Sequence, residues 1–274
     1  IVRGGADQMA AIGALDMALW DIKGKAAGLP VYSLLGGPVR ERVRLYTWLR
    51  GDTPQELAEY ARALVEQGFT AVRLYPFGYF GKPGAGEGRG LENLSFRGIA
   101  RAAEARVAAV REAVGPDVDI MIDAVNRLTP AEAIEVGHAL APYGLYFFED
   151  PIEPENMDLW GELARKLPMP VSTGERLYTL YQFRDLLQHN GAAFLRPAPS
   201  LAGGITNCRK IAALAEAAYV AVVPHNPLSC VLTAACAHLD FALHGVPVQE
   251  YPNDEDQAPK RDLVQEPLRR EGGY

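Results

Sequence analysis

The sequence predicts an α/β fold in which eight parallel strands close a barrel and helices cover its outside. After Tyr46, short β-branched or aromatic runs alternate with amphipathic helical stretches, which is typical of right-handed βαβ units. The chain has 274 residues, of which 49% are hydrophobic and 22% charged, so it can bury one large core. Eight strands are enough to close such a barrel.

The barrel strands are predicted from these apolar runs, and helical segments separate each strand from the next. Two Thr-Pro pairs, Thr53-Pro54 and Thr129-Pro130, place an N-cap before a proline at the first helical position. Gly68 and Gly144 follow helices as C-caps. The predicted strands are Val43–Trp48, Ala71–Tyr75, Asp119–Asp123, Leu145–Glu149, Pro170–Gly174, Ala193–Arg196, Val220–Val223 and Pro247–Glu250.

The region before the barrel has a different pattern. A long helix is predicted over Met9–Ala27, and a short one over Val31–Leu35 ends at a glycine pair. Two helices without strands cannot form a domain, so they are either the end of a preceding domain or a flap on the barrel. The long helix carries one apolar stripe, formed by Ile12, Leu15, Leu19 and Ile22.

A glycine-rich segment follows the second predicted strand. Residues 78–90 contain six glycines and one proline, a composition that does not form regular structure. Such a segment after a barrel strand is either a lid over the strand ends or an ordinary surface loop.

Composition narrows the classes of partner. The net charge is −7, and no basic run with interleaved aromatic residues occurs, so neither nucleic acid nor an anionic membrane is expected to bind. No apolar run is long enough to cross a bilayer, and no signal-like segment opens the chain. Three cysteines without a CxxC pattern indicate reduced thiols and a cytoplasmic protein.

Three acidic residues recur at the ends of consecutive predicted strands. Asp123, Glu149 and Glu175 follow one another at equal intervals of 26 residues, about one strand-plus-helix unit (149 − 123 and 175 − 149). Parallel neighbouring strands would bring these carboxylates to the same edge of the sheet, where they would repel one another. A divalent cation with hard oxygen ligands offsets that repulsion, so the pattern predicts a Mg²⁺ site.

Other residues at predicted strand ends would lie at the same edge of the sheet, at the open end (mouth) of the barrel, and could also take part in catalysis. Arg73 and Tyr75 stand two apart on the second strand, His225 follows the seventh, and Glu250 ends the eighth. A metal in this mouth suits a substrate carboxylate, since coordination polarises it. His225 could remove or donate a proton, and Glu250 could protonate or hydrogen-bond the developing enolate oxygen. Arg73 could grip a carboxylate or hydroxyl, or stabilise an activated Tyr75.

These residues lie in segments that resemble a known family. The segment AIGALDMALWDIKGKAAGLPVYSLLGG, the contexts FFEDP and STGER, the stretch SLAGGIT and the pair PHNPLS and VQEY resemble the mandelate racemase and muconate lactonizing group of the enolase superfamily. Within that group the chain is most similar to the acid-sugar dehydratases, the galactonate and mannonate dehydratase branch.

The resemblance implies a fold, a reaction and a division of the chain. The fold is the (β/α)₇β variant of the barrel, with residues 41–252 as the catalytic barrel. Residues 1–40 would be the last helices of an N-terminal capping domain, and 253–274 a tail that returns toward it. The reaction is Mg²⁺-assisted proton abstraction α to a carboxylate, followed by loss of a β-hydroxyl as water from an acid sugar. A symmetric homo-oligomer, from dimer to octamer, is also implied.

Two positions depart from the family pattern. Val125 stands where dehydratases commonly carry a His that acts as general acid, and valine can neither donate a proton nor form a side-chain hydrogen bond. Ala198 stands where relatives place an Asp that orients the base on the seventh strand. In mannonate dehydratase-like relatives an Arg matching Arg73 assists a loop Tyr, for which Tyr75 and Tyr79 are both candidates here.

Three hypotheses follow from this combination. The first is an acid-sugar dehydratase that uses the three carboxylates with Arg73, His225 and Glu250. The second is a racemase, epimerase or cycloisomerase that forms the same enolate without elimination. The third, motivated by Val125 and Ala198, is a metal-binding member with little or no dehydratase activity.

Overall fold

A computed structural model describes residues 4–78, 94–252, 254–255, 257–266 and 268–274. The eight predicted strands are all present, which confirms the α/β class, and they have the sheet order β7-β6-β5-β4-β3-β2-β1-β8. The strands are β1 Leu45–Trp48, β2 Ala71–Leu74, β3 Asp119–Asp123, β4 Phe147–Glu149, β5 Val171–Thr173, β6 Phe194–Leu195, β7 Ala221–Val222 and β8 Gln249–Glu250.

Helices separate the strands as predicted. They are α1 Ala6–Ala27, α2 Val31–Leu34, α3 Pro54–Glu66, α4 Phe96–Val114, α5 Pro130–Leu140, α6 Met157–Lys166, α7 Leu180–Gln188, α8 Gly204–Ala217 and α9 Cys230–Ala242, with 3₁₀ turns at Ala141–Tyr143 and Arg261–Leu263. No helix among the described residues has the length and apolar character needed to cross a membrane.

Several strands are one or two residues shorter at an end than predicted. β2, for example, ends at Leu74, so Tyr75 lies just beyond it. The difference arises because apolar runs continue past the last residue that has a ladder partner, and such boundaries are the least certain part of any pattern.

The chain divides into two compact units. The first comprises Ile1–Leu45, Thr173–Gly272 and Tyr274, and the second Tyr46–Ser172 and Gly273. The division into a catalytic barrel at residues 41–252 with flanking segments stays a prediction.

In the second unit, capping residues explain where helices α3 and α5 begin and where α3 ends. Thr53 and Glu56 make a reciprocal capping box at the start of α3, and Thr129 and Glu132 make another at the start of α5. The residue after the α3 cap, Gly68, has a positive φ of 94°, which favours glycine. The predicted caps are therefore confirmed.

Parallel pairing in the second unit aligns the strand ends. β1 pairs with β2, β2 with β3, β3 with β4, and β4 with β5, each time in parallel. Asp123 at the end of β3 is in register with Glu149 at the end of β4. The carboxyl ends of these strands therefore lie at one edge of the sheet, as the barrel prediction requires.

In the first unit, α1 packs against α8 through small and polar residues. Trp20 Nε1 donates a hydrogen bond to Thr206 Oγ1 at 2.8 Å, and Asp16 Oδ2 accepts one from Thr206 N at 2.9 Å. A Cβ on Gly13 would stand 2.6 Å from the Pro199 carbonyl oxygen, so the helix can approach only with glycine there.

The predicted apolar stripe of α1 lies on the other side of this helix. Its four side chains are between 51% and 67% exposed, namely Ile12, Leu15, Leu19 and Ile22. Burial of α1 in this unit therefore depends on the small and polar face, and not on the stripe that the helical period indicates.

The cysteines are buried thiols, as predicted. Cys208, Cys230 and Cys236 are all free and buried. Desolvation raises the pKa of Cys208 and of Cys236 well above the ordinary thiol value. Cys208 and Cys236 are therefore protonated, unreactive packing groups at neutral pH.

Candidate active site

The structure describes all seven residues that the sequence predicts for the site, and they fall into two groups. Arg73, Tyr75, Asp123 and Glu149 belong to the second unit, and Glu175, His225 and Glu250 belong to the first. Tyr79, the second tyrosine candidate, lies outside the described residues, as does most of the predicted lid segment.

In the second unit, two carboxylates stand at adjacent strand ends. Asp123 is the last residue of β3 and is 4% exposed, while Glu149 is the last residue of β4 and is fully buried. Two charged carboxylates at adjacent, buried positions need positive charge nearby to remain ionised.

Arg73 supplies that charge. Its side chain is 3% exposed, and Nη1 lies 2.9 Å from Glu149 Oε2 and 3.3 Å from Asp123 Oδ2. One guanidinium nitrogen therefore faces an oxygen of each carboxylate. The expectation that Arg73 grips a carboxylate or hydroxyl of the substrate stays a prediction, since its partners in the structure are the protein's own carboxylates.

The same guanidinium also contacts two aromatic residues. Arg73 Nη2 donates a hydrogen bond to the Tyr75 hydroxyl at 3.0 Å. The guanidinium carbon lies 5.3 Å from the centre of the Tyr75 ring and 5.4 Å from that of Trp48, within range of cation–π attraction. Arg73 thus links Tyr75 to the carboxylate pair.

The turn after β3 explains where the residues beyond Asp123 go. Val125 and Asn126 both have left-handed backbone conformations, with φ of 53° and 57°. The Val125 backbone N–H donates to Asp123 Oδ1 at 2.7 Å, so this residue orients the carboxylate through its main chain. Asn126 Nδ2 donates to Asp150 Oδ2 at 3.2 Å, which engages its amide with a neighbouring buried carboxylate.

In the first unit, His225 is close to two acidic side chains. Its Nε2 lies 3.0 Å from Glu175 Oε2 and 3.9 Å from Glu250 Oε2. The side chains of His225 and Glu175 are 15% and 16% exposed, so both retain some access to solvent, whereas Glu250 has none.

Ala198 is buried and brings no carboxylate to this histidine, as the sequence indicates. His225 nevertheless has a carboxylate partner in the structure, because Glu175 Oε2 lies within hydrogen-bonding distance of Nε2. Glu175 is itself a predicted metal ligand, so the effect of the missing Asp on His225 stays a prediction.

Glu250 is held by residues that the sequence reasoning did not single out. Arg196 Nη2 lies 2.5 Å from Glu250 Oε2, and both side chains are fully buried. The backbone N–H of Asn226 donates to the same oxygen at 2.9 Å. The available signal was an arginine at the end of a buried strand, where an unpaired charge is costly.

A short chain of hydrogen bonds supports Asn226 in turn. Asn226 Nδ2 donates to Thr233 Oγ1 at 2.7 Å, and Thr233 Oγ1 donates to Glu255 Oε2 at 2.6 Å. The loop that carries His225 is therefore tied to α9 and to the segment after β8.

The predicted metal ligands lie next to a basic side chain in each unit. Over the ranges that the structure describes, no three His, Cys, Asp or Glu side chains are already gathered at metal-binding spacing. Asp123 and Glu149, however, direct an oxygen each toward a single cationic nitrogen of Arg73. This convergence of hard oxygen donors on one positive centre is compatible with a divalent cation.

Comparisons with known proteins give the family. Residues 56–274 match the family described as "Enolase C-terminal domain-like". Residues 1–36 match the N-terminal domain of the mandelate racemase and muconate lactonizing enzymes.

Individual relatives extend this result. A D-galactonate dehydratase from Variovorax paradoxus is 41% identical over 251 residues, which are 90% of this chain and 62% of that protein. A mandelate racemase/muconate lactonizing enzyme from Jannaschia sp. superposes with a TM-score of 0.89 at 33% identity, over 99% of this chain and 70% of that one.

A third relative was solved with ligands. An enolase from Agrobacterium radiobacter, described as a candidate galactarate dehydratase bound to sodium and L-malate, has a TM-score of 0.87 and 36% identity. That alignment covers 99% of this chain and 70% of the other. The chain spans about three fifths of the length of the D-galactonate dehydratases that it matches.

Proposed function

Because this chain belongs to the mandelate racemase and muconate lactonizing enzyme group of the enolase superfamily, we propose that it dehydrates an acid sugar to a 2-keto-3-deoxy acid. The observation that carries this proposal is the set of charged residues at the predicted strand ends, three carboxylates with Arg73 and His225. Relatives named D-galactonate dehydratase support an aldonate as the substrate class.

Asp123, Glu149 and Glu175 are the proposed ligands of a divalent metal, with Mg²⁺ as the expected ion. Each ends a strand or follows it within two residues, and Asp123 is in register with Glu149. When bound, Mg²⁺ would supply positive charge beside the substrate carboxylate, which favours removal of the α-proton. Members of this superfamily bind a divalent metal, which supports the assignment.

His225 is the proposed acid–base residue. The Cα–H bond breaks and its proton goes to the imidazole of His225, while the electron pair of that bond forms the enolate of the substrate carboxylate. Glu175 at 3.0 Å and Glu250 at 3.9 Å from Nε2 stabilise the protonated ring. The same proton then leaves with the β-hydroxyl as water, and the enol product tautomerises to the keto acid.

Glu250 has a narrower role in this proposal than the sequence suggests. Its Oε2 already accepts hydrogen bonds from Arg196 and from the Asn226 backbone, so the group is held as an acceptor. A carboxylate paired in this way stabilises the imidazolium and is a poor proton donor. Arg73, through Nη2 and the Tyr75 hydroxyl, would orient the other end of the substrate.

A screen of aldonic and aldaric acids with Mg²⁺ tests the proposal, with detection of 2-keto-3-deoxy products. His225→Gln and Asp123→Asn should each abolish turnover, and the first should retain metal binding because it leaves the three carboxylates unchanged. Tight Mg²⁺ binding without turnover of any acid sugar would contradict dehydration by this chain.

Two alternatives have their own readouts. Solvent deuterium incorporated at Cα without keto product would indicate a racemase or epimerase. A weakly active metal-binding member is favoured by Val125 and Ala198, and it predicts that Val125→His with Ala198→Asp raises activity. A homo-oligomeric and cytoplasmic enzyme is proposed by analogy with the family.

A further inference from the structure

Arg73 stands where the second unit concentrates negative charge. Its Nη1 is the atom on which Asp123 and Glu149 converge, at 3.3 Å and 2.9 Å, and its side chain is almost fully buried. Nη2 points to the Tyr75 hydroxyl at 3.0 Å. The two ends of one guanidinium therefore have different partners.

These contacts do not fit with a metal held by the same two carboxylates. Mg²⁺ approaches carboxylate oxygens to about 2.0–2.1 Å, so an ion bound to Asp123 and Glu149 would lie close to Nη1. Like charges at such a separation in a buried setting repel strongly. The guanidinium nitrogen and a metal cannot both occupy the point between Asp123 Oδ2 and Glu149 Oε2.

We propose that Arg73 is the resident counter-ion of the metal site: Nη1 holds Asp123 and Glu149 until a divalent cation replaces it, while Nη2 keeps Arg73 at Tyr75. This inference rests on the proposed metal-dependent function. When the metal binds, the guanidinium of Arg73 is expected to move away from the two carboxylates and toward Tyr75.

The aromatic neighbours make this exchange possible without loss of Arg73 from the site. Trp48 and Tyr75 both lie within cation–π range of the guanidinium, so it retains favourable contacts after Nη1 leaves the carboxylates. Trp48 also provides a reporter, because its ring senses the position of the charge.

The test compares Mg²⁺ affinity in the wild type, Arg73→Gln and Arg73→Lys by titration calorimetry. Removal of the competing charge in Arg73→Gln should tighten Mg²⁺ binding by about tenfold or more. Arg73→Lys keeps the charge and should stay close to the wild type. Equal or weaker binding in Arg73→Gln would show that Arg73 assists the metal, which overturns the exchange.

A second measurement needs no substitution at Arg73. With 5-fluorotryptophan, the protein gives one ¹⁹F signal for each of its three tryptophans, and Trp48→Phe identifies that of Trp48. Saturation with Mg²⁺ should move the Trp48 signal in the wild type and leave it in place in Arg73→Gln. An unmoved signal in metal-bound wild type refutes the exchange even if the variant does not fold.

The outcomes separate this inference from the proposed function. If wild type binds Mg²⁺ and turns over an acid sugar while Arg73→Gln fails to bind more tightly, only the exchange is wrong. If neither the wild type nor Arg73→Gln binds Mg²⁺, the metal site itself is wrong and both proposals fail. Asp123→Asn, which removes a proposed ligand, serves as the non-binding control.

Discussion

Removal of one partner from the buried pair of Arg196 and Glu250 should strongly destabilise the first unit. Replacement of Arg196 by Met removes the guanidinium at 2.5 Å from Glu250 Oε2 and keeps an unbranched side chain. Glu250 then retains the Asn226 backbone donor but loses its opposite charge. Because both groups are fully buried, we expect a loss of about 3–5 kcal/mol in the free energy of unfolding.

A solvent-exposed ion pair with the same nitrogen–oxygen distance provides a matched control. Lys166 Nζ lies 2.5 Å from Glu162 Oε1, yet both side chains are 51% exposed. Solvent screens such a pair, so Lys166→Met should leave stability unchanged within error. The two substitutions differ in burial and not in the separation of the charges.

Chemical denaturation followed by circular dichroism compares the variants. The double variant Arg196→Met with Glu250→Gln should be more stable than the sum of the two single changes predicts, because it leaves no uncompensated charge. If Arg196→Met costs no more than Lys166→Met, the argument from burial is refuted. The proposed role of Arg196 in holding Glu250 would fail with it.

Four further outcomes follow from burial elsewhere in the chain. Leu15→Glu should change stability by less than about 0.5 kcal/mol because the side chain is 67% exposed, whereas Gly13→Ala should destabilise through its 2.6 Å backbone clash, as thermal melts can show. Burial raises the pKa of Asp240. Its contribution to the free energy of unfolding is therefore complete below about pH 4 and is lost as the pH rises through the folded-state pKa. Unfolding measured across this pH range should show wild type losing stability relative to Asp240→Asn as the pH rises. Iodoacetamide should modify Cys208 and Cys236 only after denaturation, as mass spectrometry can follow.

The strand positions and the acidic residues at strand ends could be predicted because each depends on local pattern. At Asp123 and Glu149 a short apolar run ends in an acidic residue. The run predicts the strand, and the acidic residue predicts a functional group at its carboxyl end. Parallel topology then places these ends at one edge. The exposed stripe of α1 shows the limit, since a helical period marks an apolar face without saying what covers it.

The side-chain pairings could not be predicted in the same way. Arg73 was expected to face substrate, and its contacts with Asp123 and Glu149 depend on register across three strands. The left-handed conformation of Val125 runs against the preference of a β-branched residue, so no local signal indicates it.

Each predicted acidic group in the site is next to a basic side chain of its own unit. Arg73 lies against Asp123 and Glu149, and in the first unit His225 lies against Glu175. A buried carboxylate without such a partner would favour its neutral form or an unfolded chain. In the second unit this cation comes from the chain itself, so Arg73 balances the charge of Asp123 and Glu149 when no metal is bound. Under the proposed exchange, the guanidinium of Arg73 becomes available to substrate once a divalent cation takes its place at the two carboxylates.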